Sequence, residues 1–250
     1  MLGALPAMVY GAGLVFCRVG ALLMLIPGVG ETNVPTNIRL AFALILSLAF
    51  YPLLRAGLPP IPATVGGLGA QIGVEVLIGV AIGALLRMFL GALAVLGETV
   101  SLSTTLSFAQ TANPLEAQPG STLATFLSVT AMAVIFTTNL DHMFIAAIAR
   151  SYSLFPPQKP PALNDATLVL IKAMSNAFAL GLQLSSPVIV FSLVLNVATG
   201  MIGRLIPQFQ IFFAAAPLQV LFGLSVFMTS FGMVIMVWME HYESFLAQFT

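Results

Sequence analysis

Long apolar runs separated by short clusters of proline and glycine set the pattern of this 250-residue chain. A helix crossing ~30 Å of hydrocarbon needs roughly 20 apolar residues, and the runs Leu2 to Ile26, Gly66 to Leu96, Leu168 to Val197 and Ile211 to Met239 meet that length. Two others are ambiguous: Leu40 to Leu54 is short, and Leu123 to Ile148 is interrupted by Thr137, Thr138, Asn139, Asp141 and His142. About six apolar helical segments, in an all-α membrane-associated chain, is the simplest reading. The joints carry turn chemistry: Pro27, Gly28, Gly30 and Pro35, then Pro59, Pro60 and Pro62, and later Pro156, Pro157, Pro160 and Pro161. The third connection, Leu106 to Ser121, is longer, almost uncharged and punctuated by Pro114, Pro119 and Gly120. It reads as a loop with a task of its own.

Composition sharpens the membrane reading. Hydrophobic residues make up 59% of the chain and charged residues 6%, against about 25% charged in soluble domains. Eight Lys and Arg cancel eight Asp and Glu, so no net field draws the chain to nucleic acid or anionic lipid. The single cysteine, Cys17, excludes an internal disulfide and reads as a small buried hydrophobe. No basic residue precedes Arg18, so the charged start of a cleaved signal peptide is missing and the first run is expected to be retained. Counting cations in alternate joints sets Arg55, Arg150 and Lys159 against Arg39 and Arg204, which fixes no orientation. Segments with so weak a bias are expected to be held by partner proteins as well as by lipid.

Four charges fall inside apolar runs: Arg18, Glu75, Arg87 and Lys172. Each costs on the order of 3 kcal/mol at mid-bilayer unless it is paired. Glu75 and Arg87 stand twelve residues apart, ~18 Å along one helix, so their partners lie elsewhere. A proton or ion relay and staples between helices or subunits are both open; their dispersal favours staples for subunit packing. Gly69-x-x-x-Gly73 and Gly79-x-x-x-Gly83 put small residues on one helical face and permit close packing. Asp141 and His142 lack the company that catalysis or metal binding needs: there is no G-x-S-x-G or H-E-x-x-H motif, and the other histidine is the distant His241. No Walker loop is present either. The chain is read as neither an enzyme nor a metal or cofactor protein.

The stretch L-N-V-A-T-G-M-I-G-R-L-I-P-Q-F-Q-I-F-F-A-A-A-P-L, Leu195 to Leu218, resembles the signature of the FliR family of flagellar and injectisome export gates. Asn196, Gly200, Arg204, Pro207, Gln208, Phe212, Pro217 and Leu218 fall in register with it. The stretch F-C-R-V-G-A-L-L-M-L-I-P-G-V-G from Phe16 is similar to the family's first helix, and P-T-N-I-R-L-A-F-A-L from Pro35 comes at the family's usual distance after it. G-E-T-V-S-L-S-T-T-L-S-F-A-Q-T-A-N-P, Gly97 to Pro114, resembles its central motif. Thr105 stands where the family has glycine, Asn113 where it has aspartate, and Leu140-Asp141-His142 replaces an N-G-H turn.

The resemblance implies kinked helix hairpins that assemble with FliP and FliQ proteins, with FlhB and FlhA as further partners, around a conduit for unfolded proteins. The place would be the inner membrane at the flagellar basal body, toward which L-S-F-A and the P-Q motif lean. Residues 1–250 would form one subunit, with 1–167 FliP-like and 168–250 a FliQ-like helix pair. Gly200, Gly203 and Pro207 would break the helix between the last two segments, with Arg204 and Gln208 supplying polar contacts at a cytoplasmic tip. The stretch about 106–121 would plug the conduit: Phe108 and Leu115 fill it, while Asn113, Pro114, Pro119 and Gly120 keep it from becoming a rigid helix. An ordinary polar turn and a solvated surface loop are the plainer readings of those two stretches. A small-solute secondary transporter, or a membrane assembly factor without a conduit, also fits six apolar segments.

Overall fold

The computed structural model describes residues 5–31, 33–107, 121–158, 163–206 and 211–247. Its regular elements are helices: α1 (Leu5–Leu23), α2 (Thr36–Leu54) with a 3-10 turn at Arg55–Gly57, α3 (Val65–Ser103), α4 (Thr122–Thr137), α5 (Asp141–Leu154), α6 (Leu163–Leu205) and α7 (Ile211–Ala247). No strand occurs among the described residues. α1, α2 with its 3-10 turn, α3, and the main parts of α6 and α7 are each long and apolar enough to cross a membrane. α4 and α5 form a bent pair that passes the same test only when taken together, so five to six apolar segments are present.

Two of them differ from the sequence reading. α3 continues to Ser103, past the apolar run that ends at Leu96. α6 continues through Gly200 and Gly203 to Leu205, so those glycines do not break the helix as expected. A helical glycine costs about 1 kcal/mol relative to alanine, whereas a broken backbone without water forfeits several hydrogen bonds.

The chain divides into two compact units: residues 1–89, 135–174 and 243–250 form the first, and residues 90–134 and 175–242 the second. In the first unit, α1 buries Gly11, Leu14, Val15, Arg18, Val19 and Leu22, a stripe at three- and four-residue spacing. Close approaches follow from small residues. A Cβ on Gly11 would lie 2.9 Å from the ring of Tyr51 in α2, and one on Gly79 of α3 would lie 2.9 Å from Ala21 Cβ. One on Gly83 would lie 2.8 Å from Leu25 Cβ. Gly79 and Gly83 therefore pack as their spacing suggests, while Gly69 and Gly73 meet nothing within 4 Å. Tyr10 of α1 also donates to the Gln71 amide oxygen of α3.

In the second unit, a Cβ on Gly181 of α6 would lie 2.6 Å from the carbonyl oxygen of Ala92 in α3. The side chains of Asn196 in α6 and Gln219 in α7 bond at 2.6 Å, with Gln219 Nε2 donating to Asn196 Oδ1. Phe227 is buried and meets Phe231 edge-on, with 5.7 Å between ring centroids.

Three turns show how the elements end. Gly28, at φ 92°, makes the turn after α1. Asn139, at φ 56°, ends α4, and Leu140 N–H donates to Ile135 O at 3.1 Å, the long bond of a Schellman cap. Thr105 has φ 59° just beyond α3, a conformation that a β-branched residue adopts at a cost of about 1–2 kcal/mol. Its Oγ1 is buried without a hydrogen-bond partner. Replacing Thr105 by glycine, the residue usual in the FliR pattern, removes both costs and adds roughly 0.5–1 kcal/mol of backbone entropy loss. Thr105→Gly is expected to raise the thermal unfolding midpoint of the detergent-solubilised protein by the equivalent of about 1 kcal/mol; an unchanged or lower midpoint would refute the strain.

Candidate functional site

The stretch read as a plug has its named residues Phe108, Asn113, Pro114, Leu115, Pro119 and Gly120 outside the described residues. Its two attachment points are described, and both lie in the second unit. On the outgoing side, α3 ends at Ser103, and a Cβ on Gly223 of α7 would clash with Thr104 Cγ2. Thr104 is fully buried, with its Oγ1 donating to Val100 O at 2.8 Å. On the returning side, a Cβ on Gly97 of α3 would lie 2.6 Å from Ala124 N. The Glu98 carboxylate accepts the Ser121 backbone N–H at 2.5 Å. Ser121 Oγ in turn accepts the Ala124 N–H at 3.1 Å, the usual bond of a serine that caps a helix start. Gly97 and Glu98 belong to the central family-like motif, but neither was singled out by sequence reasoning, because a Gly-Glu dipeptide on an apolar helix carries no signal until its neighbour is known.

At the α6 end, Gly200, Gly203 and Arg204 are all helical, and the Arg204 side chain is exposed. Pro207 and Gln208 lie outside the described residues. Two turns earlier, the Asn196–Gln219 bond ties α6 to α7, with Thr199 Oγ1 donating to Asn196 O at 3.0 Å. The sequence flagged Asn196 as a motif residue, and the structure supplies its partner.

The charges inside apolar runs fall into two ion pairs and one exposed lysine. Arg18 is 0% and Glu75 2% exposed. Arg18 Nε donates to Glu75 Oε2 at 2.6 Å and Nη2 to Glu75 Oε1 at 3.2 Å, a two-pronged contact from α1 to α3. Nη1 donates to Ser151 O at 3.0 Å and Nη2 to Phe155 O at 2.9 Å, so the same guanidinium also serves the carbonyls at the end of α5. Its Cζ lies 4.1 Å over the Tyr152 ring. Arg18 and Glu75, expected as charges for subunit packing, are thus satisfied within the chain. Arg87 stands 3.7 Å from Glu31, with both side chains partly exposed. Lys172 is exposed on α6.

Apolar helices long enough to span a bilayer, with a buried charge pair and a nearly uncharged connection whose two ends are packed on helices, define an all-α integral membrane protein. The chain belongs to the FliR family of bacterial export proteins: the family described as "Bacterial export proteins, family 1" matches residues 9–245. It is 48% identical to the flagellar biosynthetic protein FliR of Caulobacter vibrioides over 242 residues, 97% of this chain and 96% of that relative. Over 210 residues it is 31% identical to the Escherichia coli FliR, covering 84% of this chain and 79% of the relative. The Aquifex aeolicus FliR is 26% identical over 234 residues, 94% and 90% of the two chains.

Taking away one partner of a buried ion pair costs about 3–5 kcal/mol, because the other charge is left uncompensated. Arg18→Leu and Glu75→Leu are each expected to abolish accumulation of the folded protein. The double replacement should recover most of it, as apolar side chains often substitute for a buried pair. Membrane levels of the three variants check this; a double variant as depleted as the singles would show that the guanidinium's other contacts matter more than charge balance.

Proposed function

We propose that the chain is a structural and gating subunit of the flagellar type III protein export channel, passing unfolded flagellar proteins across the inner membrane. The observation that carries this reading is helix length. α3, α6 and α7 have 39, 43 and 37 residues, hence contour lengths of ~58, ~64 and ~55 Å, about twice the ~30 Å of hydrocarbon available. Apolar side chains stay exposed along α6 from Leu168, 57% exposed, to Leu205, 80% exposed. Lipid covers about half of such a helix, so protein neighbours must cover the rest. In this reading those neighbours are FliP and FliQ proteins, with FlhB and FlhA beyond them.

In this reading residues 1–167 are the FliP-like part and 168–250 a FliQ-like helix pair, a subunit that fits among both. The connection 106–121 is the seal. Its side chains are nearly all uncharged, with a single acidic residue, Glu116, which suits an apolar constriction and an ion-tight closure. The ends of that connection are tied to helices by Thr104 and Ser121, which supports a held loop over a free surface excursion. The buried charges support the same reading, because Arg18 and Glu75 neutralise each other and leave no row of titratable groups along a solute path.

Deleting residues 108–120 in cells that express the chain with its neighbouring export genes is expected to let ions and small solutes leak across the inner membrane while the complex still assembles. An assembled deletion complex that stays tight would refute the seal.

A further inference from the structure

α4 begins against the end of α3 through one carboxylate. The first N–H groups of a helix have no acceptor within it, and the Ser121 N–H, just before α4, is 2.5 Å from Glu98 Oε1. Ser121 is 2% exposed, so water is a poor substitute there. Its carbonyl accepts the Thr125 N–H at 3.1 Å, the first bond of the α4 ladder. A negative group at this position is also favoured by the partial positive charge of a helix N-terminus. Gly97, one residue before Glu98, makes the contact possible, since a Cβ there would lie 2.6 Å from Ala124 N and 2.9 Å from Ala124 Cβ. The two ion pairs among the described residues lie elsewhere, at Arg18–Glu75 and Arg87–Glu31. Glu98 thus spends its carboxylate on backbone.

We infer that Glu98 is the positioning residue that seats the start of α4 on the end of α3, and thereby sets the point at which the connection 108–120 returns to the helices. The seat stands on the geometry above; its consequence for sealing rests on the proposed function. Gly97 supplies the space, Glu98 the acceptor and Ser121 both the donor and the helix cap. A residue that merely filled volume would be replaceable by leucine, whereas an acceptor would be replaceable by glutamine, whose amide oxygen reaches as far.

Glu98→Gln, Glu98→Leu and Glu98→Asp, each in the full chain purified with its co-assembled subunits, separate these roles by hydrogen exchange over Ser121–Thr125. Loss of a bond to a charged acceptor predicts exchange faster by about tenfold or more in Glu98→Leu, with Glu98→Gln close to wild type. Where the leucine variant fails to fold, Glu98→Asp carries the test: its carboxylate is one methylene short of Ser121, and exchange should rise in a folded protein. Unchanged exchange in the folded leucine or aspartate variant, or a glutamine variant as fast as leucine, overturns the inference. Ion leak gives the second readout. If exchange rises in Glu98→Leu and the membrane stays tight while the 108–120 deletion leaks, the claim that this seat positions the seal is overturned. If the deletion itself does not leak, the seal reading fails, and the exchange result still decides the seat.

Discussion

A guanidinium buried among apolar side chains needs an acceptor for each donor it turns inward and a negative charge to balance its own. Arg18 finds both by drawing on two separate stretches of the first unit: the Glu75 carboxylate from α3, and the Ser151 and Phe155 carbonyls from the end of α5. These partners are 57, 133 and 137 residues away in sequence. The carbonyls at a helix end carry its partial negative charge, and Arg18 adds a donor to Ser151 O, which also accepts the Phe155 N–H at 2.9 Å, and supplies one to Phe155 O just beyond α5. The Tyr152 ring covers the remaining face of the guanidinium. One residue thus fixes how α1, α3 and α5 meet within that unit, and no part of the arrangement can shift without leaving a charge or a carbonyl unmatched.

The second unit is organised by contact distance. Gly97, Gly181 and Gly223 each stand where a Cβ would press into a neighbour's backbone or side chain, so its helices approach closely through glycine, beside the ring contacts Phe126–Phe231 and Phe191–Phe222. Gly97, Glu98 and Thr104 lie within eight residues of α3 and its end, and two of the contacts they make involve α4 or α7. Thr104 meets Gly223 where the connection leaves, and Glu98 holds Ser121 where it returns. The span between is bracketed by fixed points whatever its own conformation.

Much of this was legible in the pattern of apolar runs, because a chain that must hydrogen-bond its backbone without water has helices as its only simple solution. The apolar helices, the turn at Gly28 and the close packing at Gly79 and Gly83 all follow from local composition. Helix ends were less legible. The resemblance led to the expectation that Gly200 and Gly203 break the helix, yet a helix without competing water keeps its hydrogen bonds through two glycines. The pairing of Arg18 with Glu75 was hidden, since sequence shows that two charges need partners but not which ones. Thr105 was half visible: the sequence shows it departing from the FliR glycine, and its positive φ shows why glycine suits that position. The residues proposed as a seal, Phe108 to Gly120, and Pro207 and Gln208 of the expected tip lie outside the described residues, so the structure bears on their attachment points alone.

Charge balance inside the chain also constrains how it can join others. Burying an unpaired charge in an interface costs several kcal/mol, and a subunit that brought Arg18 or Glu75 uncompensated to its partners would carry that cost into assembly. Here both are neutralised before any partner arrives, and the face left exposed on α6 is made of residues such as Val190, Leu193, Val194 and Val197. Such a face offers a neighbour only shape and apolar contact, and it suits lipid as well as protein. The helix, ~64 Å long, keeps this apolar character between the exposed Lys172 near its start and the exposed Arg204 near its end, so the cations it carries sit toward its ends, where a long side chain reaches water or headgroups most easily.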